Sequence, residues 1–374
     1  MFSKNEKEAR HRAIQQILKD ENLKALLLIG DTNNGFGFCG DFRYFTNNRT
    51  IHYREVVVVF PDGNAVLFTT TTRKLSEIEA RSFVKDCRFS DDLVADVTKL
   101  LKEHGVSSGR IGVNFEMLSA AWQTRLKNGL PEIEWVETHE RIMQIRNMHS
   151  QEEADIFRKG AALGDGSLEA ALKLICQGAT EYEIVAEIEH FSRARGAEEH
   201  FTLIGSGKFS FGGDNIIFYY PSHRRIEIGD SLLMEITPRF EGYWTQLVRA
   251  VNVGRRNADL EKLQRVCRDA IRKGLEQFKP GKKVKDVVLA MDSYVVSCGY
   301  VMKPPFGHIS GVDLLETRVS PQNEMLLSPG TSVIIHPTVF TPDGKNWSFC
   351  GETYLVTQDG YERLHRTRDE LITV

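Results

Sequence analysis

The chain lacks any apolar run approaching the roughly 20 residues that span a bilayer. Its opening stretch, MFSKNEKEARHRAIQQILKDENLK, is charged and helical, without the apolar core of a signal peptide. It also lacks an excess of one charge: 48 Lys and Arg face 51 Asp and Glu, a net charge of −3. That balance gives no broad cationic footprint, so neither nucleic acid nor an anionic membrane is an expected partner. Cysteine is sparse and unpatterned. Cys39, Cys87, Cys176, Cys267, Cys298 and Cys350 are scattered with no CxxC pair, which fits reduced thiols of a cytoplasmic protein. No segment is of low complexity. What remains is an ordinary globular composition, 41% hydrophobic over 374 residues, long enough for two domains.

The first part of the chain alternates strand and helix patterns. KALLLIG, REVVVVF and NAVLFTT are short β-rich runs, whereas EKEARHRAIQQILKD, ADVTKLLKEHG and AAWQTRLKNGL carry apolar residues at helical spacing. This is the pattern of an α/β domain with a largely buried sheet. Near RIMQIRNMHS a strand-like end runs into Ser150, which with Glu153 makes a capping-box start for a long helix. Thr180 with Glu183 starts a second. The boundary is placed there, giving domains 1–147 and 148–374. In the second domain helices come in pairs followed by strands, an α+β pattern whose weak recurrence hints at duplication.

Four segments of this domain set polar groups in apolar, strand-like context: IGDSLLMEITPRFEGYWTQLVRAV, KPPFGHISGVDLLE, LLSPGTSVIIHPTVF and SFCGETYLVTQDG. In the first, Glu235 ends an apolar run and Gln246 follows beyond the Gly242-Tyr243 turn, so a hairpin can bring the two face to face. His308 follows Pro304-Pro305-Phe306-Gly307, and His336 ends the run Ser332–Ile335 before Pro337. Each has a plainer reading beside the functional one. His308 reads also as a turn histidine, His336 as a core histidine bonded to a carbonyl, and Glu235 as the partner of Arg239 or Arg249. IGSGKFS lacks the glycine and the Ser or Thr after Lys208 that a phosphate loop requires. Cys350 reads as a packed thiol.

In order and spacing, these segments resemble those of the pita-bread family that includes creatinase, aminopeptidase P, prolidase and methionine aminopeptidase. The resemblance covers nearly the whole chain. It implies a pita-bread catalytic-like domain of α+β class preceded by a creatinase-type α/β N-terminal domain, and a homodimer. In the family's peptidases two divalent metals are held by Asp, Asp, His, Glu and Glu. Here Glu235 stands at the first Asp, Gln246 at the second and His308 at the His. His336 replaces the first Glu, and the second falls on Gly351 with Glu352 one position off. Two ions about 3.5 to 4 Å apart need bridging carboxylates, and this set has lost about two negative charges. The expected chemistry is therefore metal-independent, with no cofactor.

Creatinase is the family's precedent for C–N hydrolysis without metal, yet its shuttle histidine aligns with Phe218 in FYYPSHRR and its following carboxylate falls at or beside Val248. His223 is the nearest histidine and reads as a turn residue. The remaining acid–base candidates are His308 and His336, oriented by Glu235 or Glu352. Gln246 and Glu352 are expected to contact substrate, and Phe218, Tyr219 and Trp244 to form an aromatic wall suited to a small organic or cationic group. DFRYFTNNRT matches the region where family members lend residues to a neighbouring subunit, with Arg43, Tyr44 and Asn47 as candidates and a plain loop as the alternative. The function expected is hydrolysis of a C–N bond in a small amide or guanidino-type substrate. The alternatives are a mononuclear-metal Xaa-Pro peptidase-like enzyme on His308, His336 and a carboxylate, a lyase on the same scaffold, or an inactive binding protein.

Overall fold

The computed structural model describes residues 2–32, 39–50, 53–175 and 178–374. The chain divides into two compact units, Met1–Arg146 and Asn147–Val374. None of the described helices is long and apolar enough to cross a membrane. The five described cysteines are free thiols; Cys176 lies outside the described residues.

The first unit holds helices α1 (Lys4–Asp20), α2 (Gly40–Thr46), α3 (Leu75–Arg81), α4 (Leu93–Glu103), α5 (Ala120–Gly129) and α6 (His139–Arg146). Its strands are β1 (Leu23–Asp31), β2 (Arg54–Val59), β3 (Ala65–Thr69), β4 (Asp86–Phe89), β5 (Ser108–Val113) and β6 (Glu132–Glu137). They form a mixed six-stranded sheet in the order β4-β3-β2-β1-β5-β6. The unbroken apolar runs of β1 and β2 follow from helices on both faces. Leu27, Ile29, Val56 and Val58 pack with Val97 and Leu100 of α4 and with Leu126 of α5. Leu26, Leu28, Val57 and Val59 pack with Ile14 and Ile17 of α1 and Phe42 and Phe45 of α2. The stretch before Ser150, expected to end as a strand, is instead helix α6, with Ile142 and Ile145 three residues apart on the side facing this second cluster.

The second unit opens with α7 (Gln151–Leu174) and α8 (Glu181–Arg193), followed by β7 (Ala197–Gly207), β8 (Ser231–Phe240), β9 (Tyr243–Trp244) and β10 (Leu247–Asn252). Then come α9 (Ala258–Leu275), α10 (Val284–Ser297), β11 (Val301–Lys303), β12 (Gly307–Ile309), β13 (Thr317–Arg318) and β14 (Ser332–Ile335). The chain closes with β15 (Thr338–Phe340), β16 (Trp347–Phe349), β17 (Gly351–Val356), β18 (Tyr361–Arg363) and β19 (Ile372–Thr373). Among the described residues the main path runs β13-β12-β14-β17-β10-β8-β7, and β11, β15 and β16 form a separate small sheet. Alternation along β8 fixes its faces: Leu232, Met234 and Ile236 pack with Leu168 and Ala171 of α7 and with Ile184 and Ile188 of α8. Glu235 is thereby turned the other way.

Both expected capping boxes are present, at Ser150/Glu153 and Thr180/Glu183. Glu153 does more than cap, because its Oε1 also accepts from the Tyr243 hydroxyl at 2.6 Å. Ser150→Ala is expected to lower stability by about 1 kcal/mol, as a shifted denaturant midpoint with unchanged slope. A change within a few tenths would show that Tyr243, not the box, secures this helix end.

Candidate active site

Strand register decides which side chains meet. Glu235 of β8 lies directly opposite Val248 of β10, and Val248 directly opposite Gly351 of β17. Continuing the register one residue past the end of β14 sets His336 across from Gly351, since Ile335 pairs with Glu352. A Cβ added to Gly351 would collide with Cα and Cβ of His336 and with the Ile335 carbonyl. Directly opposed residues share a face, so Glu235, Val248, Gly351 and His336 form one row. A second row on the same face joins Thr353 to Ile334 and Ile334 to His308. Gln246 is pinned beside it: its backbone N–H donates to Thr353 Oγ1 at 2.8 Å, and that hydroxyl donates to the Gln246 carbonyl at 3.2 Å.

His308 Nε2 and Gln246 Oε1 are 3.2 Å apart, although β14 and β17 lie between their strands. A flat sheet would separate them by about 14 Å at ~4.8 Å per strand. The face is therefore concave, and long side chains converge across it. An amide oxygen only accepts, so this bond places the proton of His308 on Nε2. The ring of His336 stands edge-on to that of His308, centroids 5.5 Å apart, and edge-on to Phe349 at 6.1 Å.

Burial governs the electrostatics. It pushes the Glu235 carboxyl up to about 7, and among the described residues this side chain has neither an ion pair nor a hydrogen bond. The arginines expected as its partners are engaged elsewhere: Arg239 with Glu199 and the carbonyls of Gly242 and Val312, Arg249 with Glu352. Burial lowers His308 to about 3, with His336 adding to the effect, and lowers His336 to about 4. Both imidazoles are neutral at pH 7. Among the described residues the Nδ1 of His336 and the Nε2 of Gln246 are buried without a hydrogen-bond partner, so the expectation of a carbonyl-bonded core histidine does not describe His336. Unpaired buried groups of this kind are costly to keep.

Not every expected residue comes to this face. Glu352 is directly opposite Leu247 and Ile335, which turns it to the other side of the sheet. There it is held by Arg249 and by both nitrogens of the Arg363 fork. A one-residue step along β17 reverses the side chain, so Glu352 sits in an ion-pair cluster on the face opposite the one where a substrate contact was expected. Phe218 joins the aromatic wall, packed edge-on against Phe349 at 5.1 Å and Trp347 at 6.1 Å. Phe349 and Trp347 were not foreseen; their alternation in WSF was the available signal. Trp244 shares the parity of Gln246 but is fully buried under the Arg239 guanidinium at 5.2 Å. Tyr219 is 64% exposed and rests on Tyr220, so it leaves the wall. His223 is exposed against Tyr182. Arg43 is a buried residue of α2 in the first unit.

A concave sheet face thus gathers a buried carboxyl, two neutral imidazoles and an amide, groups able to bind a small polar substrate and exchange protons with it. Residues 155–358 match the model of metallopeptidase family M24, and residues 10–148 that of the creatinase/prolidase N-terminal domain. The chain belongs to family M24, with the pita-bread fold of creatinase and the Xaa-Pro peptidases. It is 25% identical to creatinase from Bacillus sp. over 92% of this chain and 86% of that one. It is 28% identical to an Xaa-Pro dipeptidase from Pyrococcus horikoshii over 62% of this chain and 66% of that one. The fold is shared with an X-Pro aminopeptidase from Thermotoga maritima, with a TM-score of 0.86 at 18% identity, covering 97% and 99% of the two chains.

The family name implies metal, and the donors present do not fit a bridged pair. The five positions matched to the family's ligands offer one carboxyl, one amide, two imidazoles and a glycine, so Glu235 alone would have to bridge two cations and offset four positive charges. No side chain can be restored at Gly351 without displacing the Ile335 carbonyl and His336. Among the described residues no group of three or more His, Cys, Asp or Glu is arranged to hold a metal ion.

The two glutamates have opposite stability signatures. Burial raises the Glu352 carboxyl, but Arg249 and Arg363 outweigh it and hold it below its ordinary value. Its contribution is present above the unfolded value near 4.5 and is lost as pH falls through the lower folded value. Glu352→Gln is expected to destabilise by about 3 kcal/mol, because it leaves Arg249 buried and unpaired. Glu235 has a raised pKa, so its protonated form favours folding, and that contribution is lost as pH rises from about 4.5 through about 7. Glu235→Gln is therefore expected to stabilise the fold at pH 8, by up to about 3 kcal/mol, and to change little at pH 4.5. Thermal unfolding across this range checks both. A Glu235→Gln protein less stable than wild type at pH 8 would contradict the unpaired carboxyl.

Proposed function

We propose that this protein hydrolyses a C–N bond in a small amide or guanidino-type substrate, using Glu235 for proton transfer and no pair of metals. The carrying observation is the buried carboxyl of Glu235, without an ion pair or hydrogen bond among the described residues and raised to about 7. A general acid–base group works best when its pKa lies near the operating pH; Glu235 meets that condition, whereas His308 and His336 are lowered to about 3 and 4. In the proposed step the ionised Glu235 takes a proton from water as the water oxygen bonds to the substrate carbon. The C–N bond then breaks, and the departing nitrogen receives the proton from Glu235. His308 and His336, neutral at pH 7, bind and orient the substrate through hydrogen bonds and carry no proton through the cycle. The roles expected from sequence, with the histidines as the acid–base pair and Glu235 orienting them, are thus exchanged. A cationic group on the substrate would be favoured by Glu235 and by the Phe218–Trp347–Phe349 wall.

The test combines substrate screening with variants. Glu235→Gln is expected to lower kcat about 10²–10⁴-fold in a folded protein, and wild-type kcat/KM to show an inflection near 7 that the variant lacks. His336→Gln should raise KM more than it lowers kcat. Full turnover in Glu235→Gln would refute the assignment. Elemental analysis is expected to give less than one equivalent of tightly bound transition metal per chain. Two equivalents, with turnover lost on chelation, would show that metals, not Glu235, drive the reaction. The same reading expects a dimer, as twice the chain mass in light scattering.

A further inference from the structure

On the side of β17 turned away from the candidate active site, a cavity of about 200 Å³ opens against α9 and β18. Its wall gathers four arginines, Arg249, Arg268, Arg272 and Arg363, with only two carboxylates, Glu352 and Asp369. Those carboxylates are already engaged. Glu352 binds Arg249 and Arg363, and Asp369 binds Arg272 at 3.3 Å. Arg272 has a further partner in Asp269 at 2.8 Å. Arg268, projecting from α9, has no ion pair among the described residues, and its buried Nε has no hydrogen-bond partner. With Asp269 counted, the four arginines face three carboxylates, and Arg268 is the one arginine of the wall without an ion pair among the described residues. Such a concentration raises the local potential for anions. Planar guanidinium forks match tetrahedral oxyanions with paired N–H donors. Tyr361, Ile271 and Leu275 supply an apolar flank beside the cationic floor.

We propose that this cavity binds a phosphate-class oxyanion, either free phosphate or the phosphoryl group of a small phosphate monoester, with Arg268 as its principal contact. A phosphoryl group presents three oxygens to planar guanidinium forks where a carboxylate presents two. Because the cavity lies on the opposite face from Glu235, His308 and His336, binding there is separable from the proposed hydrolysis.

The experiment is calorimetric titration of the full chain at constant ionic strength with inorganic phosphate, phenyl phosphate and acetate. Saturable phosphate binding is expected, weakened about tenfold or more by Arg268→Gln, the scale of one charge-assisted hydrogen bond. Arg268→Lys, which keeps the charge but loses the fork, should fall between, and circular dichroism should show both variants folded. Tighter binding of phenyl phosphate than of inorganic phosphate identifies a phosphorylated small molecule as the ligand class, and equal binding identifies free phosphate. Absence of saturable binding, acetate binding as tight as phosphate, or an unchanged Arg268→Gln protein would each overturn the proposal.

Discussion

The candidate site depends on the register that links β8, β10, β17 and β14. Each direct pairing passes the choice of face to the next strand, so the Glu235–Val248 pair determines where Gly351 and then His336 must stand. A slip of one residue between β10 and β17 would send His336 outward and bring Glu352 in. The register is itself enforced from outside. Leu232, Met234 and Ile236 can leave water only by packing on α7 and α8, and that burial commits Glu235 to the concave face. Apolar burial on one side of the sheet thus positions a polar group on the other.

Glu235 and Glu352 show how environment divides one residue type. Both are nearly removed from solvent, at 9% and 2% exposure. Glu352 has two arginines and stays ionised, serving the fold. Glu235 has none among the described residues, and burial raises it to about 7. Keeping an unpaired carboxyl in a sheet costs stability, and a fold selected only for stability would have replaced it with glutamine or an apolar residue. Perturbed groups without a structural partner concentrate where chemistry is done. The same logic covers the Nδ1 of His336 and the Nε2 of Gln246, buried without a hydrogen-bond partner among the described residues.

Much of this was legible in the chain. The continuous valines of β2 announced a doubly covered strand, the two capping boxes announced α7 and α8, and motif order pointed to the family. The exchange of carboxylates for Gln246 and His336 was visible at single positions. What could not be read was what depends on geometry between distant segments. The Glu352 side chain differs from Gly351 by one step along a strand, and only pairing with Leu247 and Ile335 shows which one faces the site. Arg239 and Arg249 lie close to Glu235 in sequence, yet β-sheet alternation and the carbonyls around Arg239 draw both elsewhere. The helix α6 was missed because a short segment with few apolar residues carries no periodicity long enough to separate helix from strand.

The central claim is that Glu235 shares its proton with solvent near neutral pH. Carbon-13 NMR titration of labelled glutamate carboxyls, with the resonance assigned by its loss in Glu235→Gln, measures this directly. An inflection near 7 is predicted. An inflection between about 4 and 5, the range of an ordinary glutamate, would mean that Glu235 has a partner or solvent access, and the proposed chemistry would lose its proton carrier.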